Sequence, residues 1–384
     1  MTDLEEKTAT VPASTQTGPI SSKPGMVPAP AQVLQMADNE EGSPLEERFP
    51  SLTIRGFGDI DFSATNQHGV PSNSGFNLGE FVLHLASPLS RKISVFGEIA
   101  FDPQAENFTV DVERAFIRYD HDDSFKISFG RYHTPINYWN TAFHHGTWLQ
   151  TTISRPEMIA FHGPLLPAHF VGLEAEGSIP SGGAGLGYAV GLGNGRSFFL
   201  HEPGQAGDSD NNRAFILSLF ARPPKLDGLQ IGGAFYHDKL SFQPEMASTA
   251  GVSALVPNFY EWIASGHVVW TKQAPEFLAE FSNIHHRSVF GGPAFDSRMF
   301  YVQAAYRLPF QEQKWKPYYR FEYTNVSMGD PFLTEAPHDL RLSILGVRYD
   351  ISTFAAFKAE YRDRQAQAAD PHVKGVFLQT SFTF

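Results

Sequence analysis

The last residues of the chain decide how the rest is interpreted, and they read Lys374-Gly-Val-Phe-Leu-Gln-Thr-Ser-Phe-Thr-Phe384. From Val376 onward, mainly apolar positions alternate with mainly polar ones, and a period of two is typical of a β-strand. An apolar strand at the end of a chain leaves an open edge, which soluble proteins usually avoid. Two arrangements protect this edge: a soluble sandwich that buries the strand, or a barrel in which the last strand pairs with the first.

The composition indicates an all-β chain. Among 384 residues there are 34 Phe, 13 Tyr and 33 Gly, a mixture that suits strands and turns better than helices. No apolar run reaches the roughly 18 residues of a transmembrane helix, whereas a barrel strand needs only every second residue to be apolar. The lack of cysteine excludes disulfides and thiolate metal sites, and the net charge of −12 argues against nucleic acid as a partner.

Residues 49–384 contain sixteen strand-like segments, most of which alternate between an apolar and a polar face. In the segment 315–325, for example, Tyr319 and Phe321 share one face, whereas Arg320 lies on the other. A sandwich and a barrel both produce this alternation, so a single strand does not separate them.

The connections between these segments favour the barrel, because long and short ones alternate. The predicted long connections are 66–74, 103–107, 134–168, 195–210, 242–259, 286–296, 327–337 and 365–373, of which 103–107 is no longer than a turn. The predicted short connections are 87–91, 121–124, 180–182, 223–227, 272–275, 309–314 and 351–353. Long loops on one rim, short turns on the other and an even strand number are typical of a bacterial transmembrane barrel. We therefore predict a closed antiparallel sixteen-stranded transmembrane β-barrel.

The connection 134–168 follows strand five and is too rich in aromatic residues to be disordered; loops of this length are usually functional. In its position, length and hydrophobicity it resembles the inward-folded loop of the sixteen-stranded outer-membrane porins of Gram-negative bacteria. The resemblance covers residues 51–384, and the terminal Phe384 is similar to the C-terminal signature of such barrels. The segment Phe129-Gly-Arg-Tyr-His-Thr-Pro loosely resembles the phosphate- and carbohydrate-selective porins.

This resemblance implies a bacterial outer-membrane location with periplasmic termini, contact with outer-membrane lipid and a homotrimer. It also implies that the loop enters and narrows the pore. The residues that we expect in this constriction are Trp139, His144, His145, Trp148, Arg155 and Glu157. Residues 1–48 are rich in Pro, Ser, Thr and acidic residues, and we predict a disordered N-terminal tail. Because they contain no secretory signal, we interpret the chain as a processed or differently started form.

Two local irregularities are expected near the loop. Alternation breaks around Glu113–Arg114 and around Gly130–Arg131, and we interpret both as β-bulges, which are common beside functional sites. In strand seven the glycines from Gly183 to Gly193 share one face. Glycine in a strand often marks the close approach of another backbone, so we expect this bare inner wall to make room for the loop, a pliable strand with no partner being the alternative.

Charged residues fall on the predicted inner face in two groups. The predicted basic pore-lining residues are Arg55, Arg320, Arg348, Lys358, Arg362 and Arg364. The predicted acidic pore-lining residues are Asp59, Asp61, Glu98, Asp102, Glu174 and Glu176. Such walls create a transverse field that sorts solutes in porins. The alternative is that these charged residues form ion pairs in the lumen, which only stabilise buried charge and do not sort solutes.

No other chemistry is predicted. His144 and His145 are adjacent in an irregular loop, where neighbouring side chains usually diverge, and no carboxylate spacing accompanies them, so we predict no metal site. The glycines of strand seven lack a dinucleotide fingerprint, and no catalytic motif or cofactor is apparent, so the chain is not expected to be an enzyme. The sequence predicts passive diffusion of small hydrophilic solutes or ions, the alternatives being a selective channel for anions or sugars, or a non-conducting structural barrel.

Overall fold

The computed structural model describes residues 49–103, 107–160, 163–196, 212–240 and 258–384. The predicted tail, residues 1–48, lies outside the described residues. Sixteen antiparallel strands form one closed barrel in which each strand pairs with its neighbours along the chain. The strands are β1 (Thr53–Gln67), β2 (Val70–Pro88), β3 (Ile93–Pro103), β4 (Phe108–Asp122), β5 (Phe125–His133), β6 (His169–Ile179), β7 (Leu186–Asn194), β8 (Ala214–Ala221), β9 (Leu229–Leu240), β10 (Phe259–Trp270), β11 (Glu276–Ser288), β12 (Ala294–Ala305), β13 (Trp315–Asn325), β14 (Asp339–Ser352), β15 (Ala355–Gln365) and β16 (Val373–Thr383).

The last strand closes the barrel, as the alternation of its residues predicts. The pairing of β1 with β16 runs from Phe57↔Thr383 to Gln67↔Val373 without a break. The final residue continues this ladder, because the Phe384 amide donates to the Gly56 carbonyl at 3.0 Å and the Gly56 amide donates back at 2.9 Å. Neither β1 nor β16 therefore has an open edge where the two strands pair.

Side chains alternate between an apolar outer surface and a polar interior. In β13, Tyr319 is 47% exposed on the outside, whereas Arg320 is 0% exposed on the inside. Outward residues of other strands, such as Phe281 and Leu345, are likewise exposed. An exposed apolar band around a closed barrel is what contact with lipid requires.

Two of the predicted long connections are shorter than expected, and one of them, 286–296, is reduced to the five residues between Ser288 and Ala294. The predicted loop 66–74 is wrong: β1 and β2 extend to a tight hairpin with only His68 and Gly69 between them. Gly69 has φ +80°, a conformation that suits glycine in such a turn. The longest connections, including 134–168, all leave the rim opposite the start of β1, which agrees with the predicted segregation.

One of the two predicted bulges is present. Glu98 pairs with Arg114 and Ile99 pairs with Val112, so Glu113 is an extra residue in β4. Because of this bulge, the adjacent side chains of Glu113 and Arg114 are both buried. At Gly130 the predicted bulge is wrong, since the pairing of β5 with both neighbouring strands is continuous at this residue. The break in alternation there reflects a φ of +143° at Gly130, where an added Cβ would collide with the backbone of β4.

Helical structure is sparse in the described part of the chain. One α-helix, α1 (Tyr138–Phe143), lies in the connection 134–168. The 3-10 turns are Glu157–Ile159, Gly182–Ala184, Pro224–Leu226 and Gln311–Gln313. None of the described helices is both long and apolar enough to cross a membrane.

Candidate pore constriction

The connection 134–168, here called the constriction loop, begins with α1. The side chain of Asn137 accepts a hydrogen bond from the Asn140 amide and caps the helix. The first amides of α1, those of Tyr138 and Trp139, donate to the carboxylate of Glu280 at 2.6 and 2.9 Å. Glu280 belongs to β11, so the loop crosses the lumen to reach it. The first amides of α1, which have no acceptor within the helix, therefore find their acceptor on a wall strand.

Several basic wall residues bind the loop rather than facing open water. Arg320 donates to Thr152 Oγ1 at 3.0 Å, to the Ser154 carbonyl at 2.8 Å and hydroxyl at 2.7 Å, and to the Arg155 carbonyl at 3.2 Å. Arg320 is 0% exposed. Its guanidinium also lies 5.6 Å from the ring of Trp139.

Lys358 and Arg348 bind the loop in the same way. Lys358 is also 0% exposed, and it donates to the carbonyl oxygens of Thr147 and Thr152. Arg348 donates to the carbonyl oxygens of Trp148 and Gln150 at 2.7 and 2.8 Å. Carbonyl oxygens of the loop thus serve as hydrogen-bond acceptors for the buried cationic side chains of the barrel wall.

The wall carboxylates bind amides of the same loop. Glu360 accepts from the Ile153 amide at 2.7 Å, and Glu322 accepts from the Glu157 amide at 2.6 Å. These two acids and Glu280 are not among the predicted pore-lining residues. The signal that identifies them is the alternation of their strands, which places each of them on the inner face.

The remaining predicted basic residues have different surroundings. Arg362 forms a 2.6 Å ion pair with Glu360 and lies 3.8 Å from the ring of Phe377. Arg364 contacts Glu157 at 3.2 Å. Arg55 is exposed near the start of β1.

The predicted acidic residues separate into buried and half-buried ones. Glu98 is fully buried and pairs with Arg114 on the neighbouring strand. Asp59 is buried and accepts a 2.9 Å hydrogen bond from the hydroxyl of Thr147 in the loop. The half-buried acids are Asp61, Asp102, Glu174 and Glu176.

The two adjacent histidines of the loop do not diverge, so that expectation is wrong. The Nε2 atoms of His144 and His145 lie 3.5 and 3.3 Å from Glu113 Oε2, the carboxylate that the bulge turns inward. Burial holds the pKa of His144 well below its usual range. Burial also disfavours protonation of His145, but Glu80 and Glu113 outweigh it and raise the pKa to about 10.

The glycines of β7 make room for wall side chains, not for the loop as we expected. A Cβ on Gly191 would lie 2.7 Å from Ile216 Cγ2 and from the Tyr132 hydroxyl, and one on Gly187 would meet the ring of Phe220. These neighbours belong to β5 and β8, whose large side chains lean over the bare strand. Gly183, which the sequence placed in the strand, lies instead in a 3-10 turn.

An apolar core fills part of the interior, on the side of β8 to β12. Loop residues such as Ile136 and Trp139 pack there with wall residues such as Tyr301. A second connection, 326–338, contributes Leu333 to the same core. Sequence reasoning missed this second inward segment, although its apolar residues in an outer connection were the available signal.

Within the part of the chain that the structure describes, one cavity borders the constriction loop on each side. The larger, of about 1590 Å³, reaches toward the short turns and is lined in part by Trp148 and Leu149. The smaller, of about 460 Å³, is lined in part by Asp59, Arg362 and Thr147. The segment 146–150 therefore lies between the two spaces.

Comparisons with known proteins define the class of the fold. No protein-family model and no curated protein matches the sequence. Among solved structures, the anion-selective porin of Comamonas acidovorans is 12% identical with a TM-score of 0.60, and the match covers 87% of this chain and 100% of that one. The outer-membrane channel DcaP of Acinetobacter baumannii is 12% identical with a TM-score of 0.58, over 87% and 97% of the two chains.

A third similar structure is OmpT, an outer-membrane protein of Vibrio cholerae, in a trimer form. It is 13% identical with a TM-score of 0.58, and the match covers 87% of this chain and 100% of OmpT. The chain thus has the fold of the sixteen-stranded outer-membrane porins. At these identities the likeness concerns the fold alone.

Proposed function

We propose that the protein is an outer-membrane channel for small hydrophilic solutes or ions, narrowed by the constriction loop. The observation that supports this most strongly is the pair of cavities separated by residues 146–150 inside a closed barrel with an apolar outer surface. A polar lumen inside a lipid-facing barrel is suited to the passage of water-soluble molecules. The proposed orientation has periplasmic termini, and the trimer form of OmpT supports a homotrimer.

The narrow segment is proposed to have only a weak charge preference. Arg320, Arg348 and Lys358 direct their charge to loop carbonyls, so they contribute less to the passage than the sequence pattern suggests. In the smaller cavity, Arg362 faces a group of carboxylates that includes Asp59. Opposed charges at a narrow point sort solutes by charge and dipole.

A second candidate is a barrel that conducts only when the loop moves, or not at all. The observation that favours it is the complete burial of Arg320 and Lys358 against the loop. Such contacts hold the loop firmly in one position, which is a property of a plug as well as of a fixed constriction.

Planar-bilayer recordings of the purified, folded protein separate these functions. The proposed channel gives stepwise conductance in KCl with a reversal potential close to zero in a salt gradient. Block of the current by phosphate or by a sugar would favour the selective channel, and folded protein without current would favour the plug.

Cysteine labelling then tests where solutes pass. The chain has no native cysteine, so Thr147→Cys introduces a single thiol beside the smaller cavity. We expect a charged thiol reagent to reduce the current through this variant. The matched control, Ser74→Cys, places a thiol at an exposed position outside both cavities and should leave the current unchanged. Equal responses of the two variants would contradict the proposed path.

A further inference from the structure

Four buried side chains converge where the constriction loop leaves and rejoins the wall. They are Glu113 in the bulge of β4, His133 at the end of β5, His169 at the start of β6 and His144 just after α1. One potential ligand atom from each residue lies within 4.8 Å of the other three. None of the four residues is more than 7% exposed.

The local structure explains why these residues meet. His133 pairs with His169 across the β5–β6 ladder, which places the two residues side by side at the base of the loop. The bulge gives β4 an extra inward side chain, Glu113. His144 completes the group from the loop, with its ring centroid 3.7 Å from that of His133 and 4.7 Å from that of His169.

Ring nitrogens of the group lack good hydrogen bonds to the described residues, although His133 Nε2 lies 3.3 Å from Glu98 Oε2. Both ring nitrogens of His169 are buried, and neither makes a hydrogen bond to the described residues, although Nε2 contacts the Glu113 carboxylate. Buried polar atoms of this kind are normally satisfied. A metal ion among the rings would take one nitrogen from each imidazole, because a neutral imidazole nitrogen is a good ligand.

The contact between Asn140 and His144 is of the kind that holds metal-binding histidines in place. The Oδ1 atom of Asn140 lies 2.6 Å from His144 Nδ1 and accepts a hydrogen bond from the tautomer that is protonated at Nδ1, in which the Nε2 lone pair is directed at the cluster. The amide nitrogen of Asn140 donates to the carbonyl oxygens of Thr134 and Ala168 at 3.0 and 2.8 Å, so its orientation is fixed. Metal-binding histidines commonly have their other ring nitrogen held in this manner.

We propose that Glu113, His133, His144 and His169 bind one divalent transition-metal ion, and that zinc is the best match. Three imidazoles and one carboxylate form a donor set that zinc accepts in tetrahedral sites, with bonds of about 2.0–2.1 Å. Donor atoms of such a tetrahedron lie roughly 3.4 Å apart, so no pair has to close by more than roughly 1.4 Å on binding. His145 is not part of the set: its Nε2 lies 3.3 Å from Glu113 Oε2, but it is not among the residues whose ligand atoms all lie within 4.8 Å of one another.

The bound ion would fasten the constriction loop to the barrel wall. His144 is the only one of the four ligands that belongs to the loop, and the other three belong to adjacent wall strands. The site does not depend on conduction, because the same geometry binds an ion in an open channel or in a plug.

Metal titration of the full-length protein tests the proposal. The folded protein is treated with EDTA in detergent, dialysed, and titrated calorimetrically with ZnCl₂ and spectroscopically with CoCl₂. We expect about one ion per chain, with a visible cobalt absorption of tetrahedral intensity. His144→Ala and His169→Ala should each weaken zinc binding at least about 100-fold, and Asn140→Ala, which removes an orienting contact, about 10-fold or more.

The matched control is His121→Ala, which removes an exposed histidine of β4 far from the cluster. It should bind zinc as the unchanged protein does. Folding of each variant is checked by circular dichroism and by the heat-dependent shift in gel mobility. If His169→Ala does not fold, His144→Gln in the loop replaces it. Absence of stoichiometric binding, or binding that persists in both ligand variants, would overturn the proposal.

Discussion

Lys358 Nζ donates a 2.9 Å hydrogen bond to the carbonyl oxygen of Thr152, joining strand β15 to the constriction loop inside the barrel. A buried ammonium group is unfavourable unless it is well hydrogen-bonded. Lys358 is 0% exposed, and Gln379 Oε1 accepts a further bond from it at 3.0 Å. The position of the loop and the stability of the wall are therefore coupled.

Replacing Lys358 with Met tests this coupling. The variant keeps most of the side-chain length but leaves the Thr147 and Thr152 carbonyls without their donor. We expect a loss of about 1–3 kcal/mol in the free energy of unfolding, measured by urea denaturation in detergent. The control, Lys314→Met, lies in an exposed turn beside Glu312 and should leave the midpoint unchanged. Equal midpoints for both variants would show that the loop contacts add no stability.

The acceptor of the first amides of α1 gives a second stability prediction. Glu280→Ala leaves the Tyr138 and Trp139 amides and the Tyr301 hydroxyl without their acceptor. Each buried donor without a partner costs about 1–3 kcal/mol, so we expect a clearly lower unfolding midpoint. Glu280→Gln, which retains one acceptor oxygen, should fall between this variant and the unchanged protein. The reverse order of the two variants would contradict the assigned role of the carboxylate.

Glycine in β7 provides a packing prediction. In Gly191→Ala the new methyl group would lie 2.7 Å from Ile216 Cγ2 and from the Tyr132 hydroxyl. Overpacking of this kind typically costs about 1–3 kcal/mol, and thermal unfolding should occur at a lower temperature. Gly183→Ala is the control, because a Cβ there meets no atom within 4 Å. If both variants unfold at the same temperature, the wall is not tightly packed at Gly191.

Arg362 is expected to influence ion preference in the proposed channel. It lines the smaller cavity together with Asp59 and Asp61. Arg362→Ala therefore removes positive charge that opposes the negative charge of those two carboxylates. The reversal potential in a KCl gradient should then shift toward cation preference. Arg341→Ala, which removes an exposed arginine of β14, serves as the control and should cause no shift. An unchanged reversal potential in Arg362→Ala would show that Arg362 does not contribute to the proposed electric field across the pore.

Alternation along the strands, together with the order of long and short connections, was sufficient to predict the barrel. It assigned Tyr319 to the outside and Arg320 to the inside, and the terminal strand indicated closure with the first. The break at Glu113 also predicted a real bulge. The hairpin at His68 and Gly69 was not predicted, because polar residues at a strand end have the composition of a loop.

The interior contacts could not be predicted because they join residues far apart in sequence. Arg320 and Arg155 meet only after the loop has crossed the barrel. His133 and His169 bracket the loop, but their pairing becomes apparent only when the register of β5 and β6 is known. Buried wall charges were interpreted as pore lining because a sequence does not distinguish an inward side chain in water from one covered by a loop.

Single-channel conductance of Arg320→Ala, compared with the unchanged protein, tests most directly the claim that wall charges hold a loop which narrows the passage. The substitution removes four hydrogen bonds to the loop, to Thr152, to Ser154 twice and to Arg155. Bonds to a charged group contribute about 1.5–3 kcal/mol each, so the loop should loosen. We expect a larger conductance in the folded Arg320→Ala variant than in the unchanged protein, and an unaltered conductance in Arg341→Ala. Equal conductance in all three folded proteins, or no current in any of them, would contradict it.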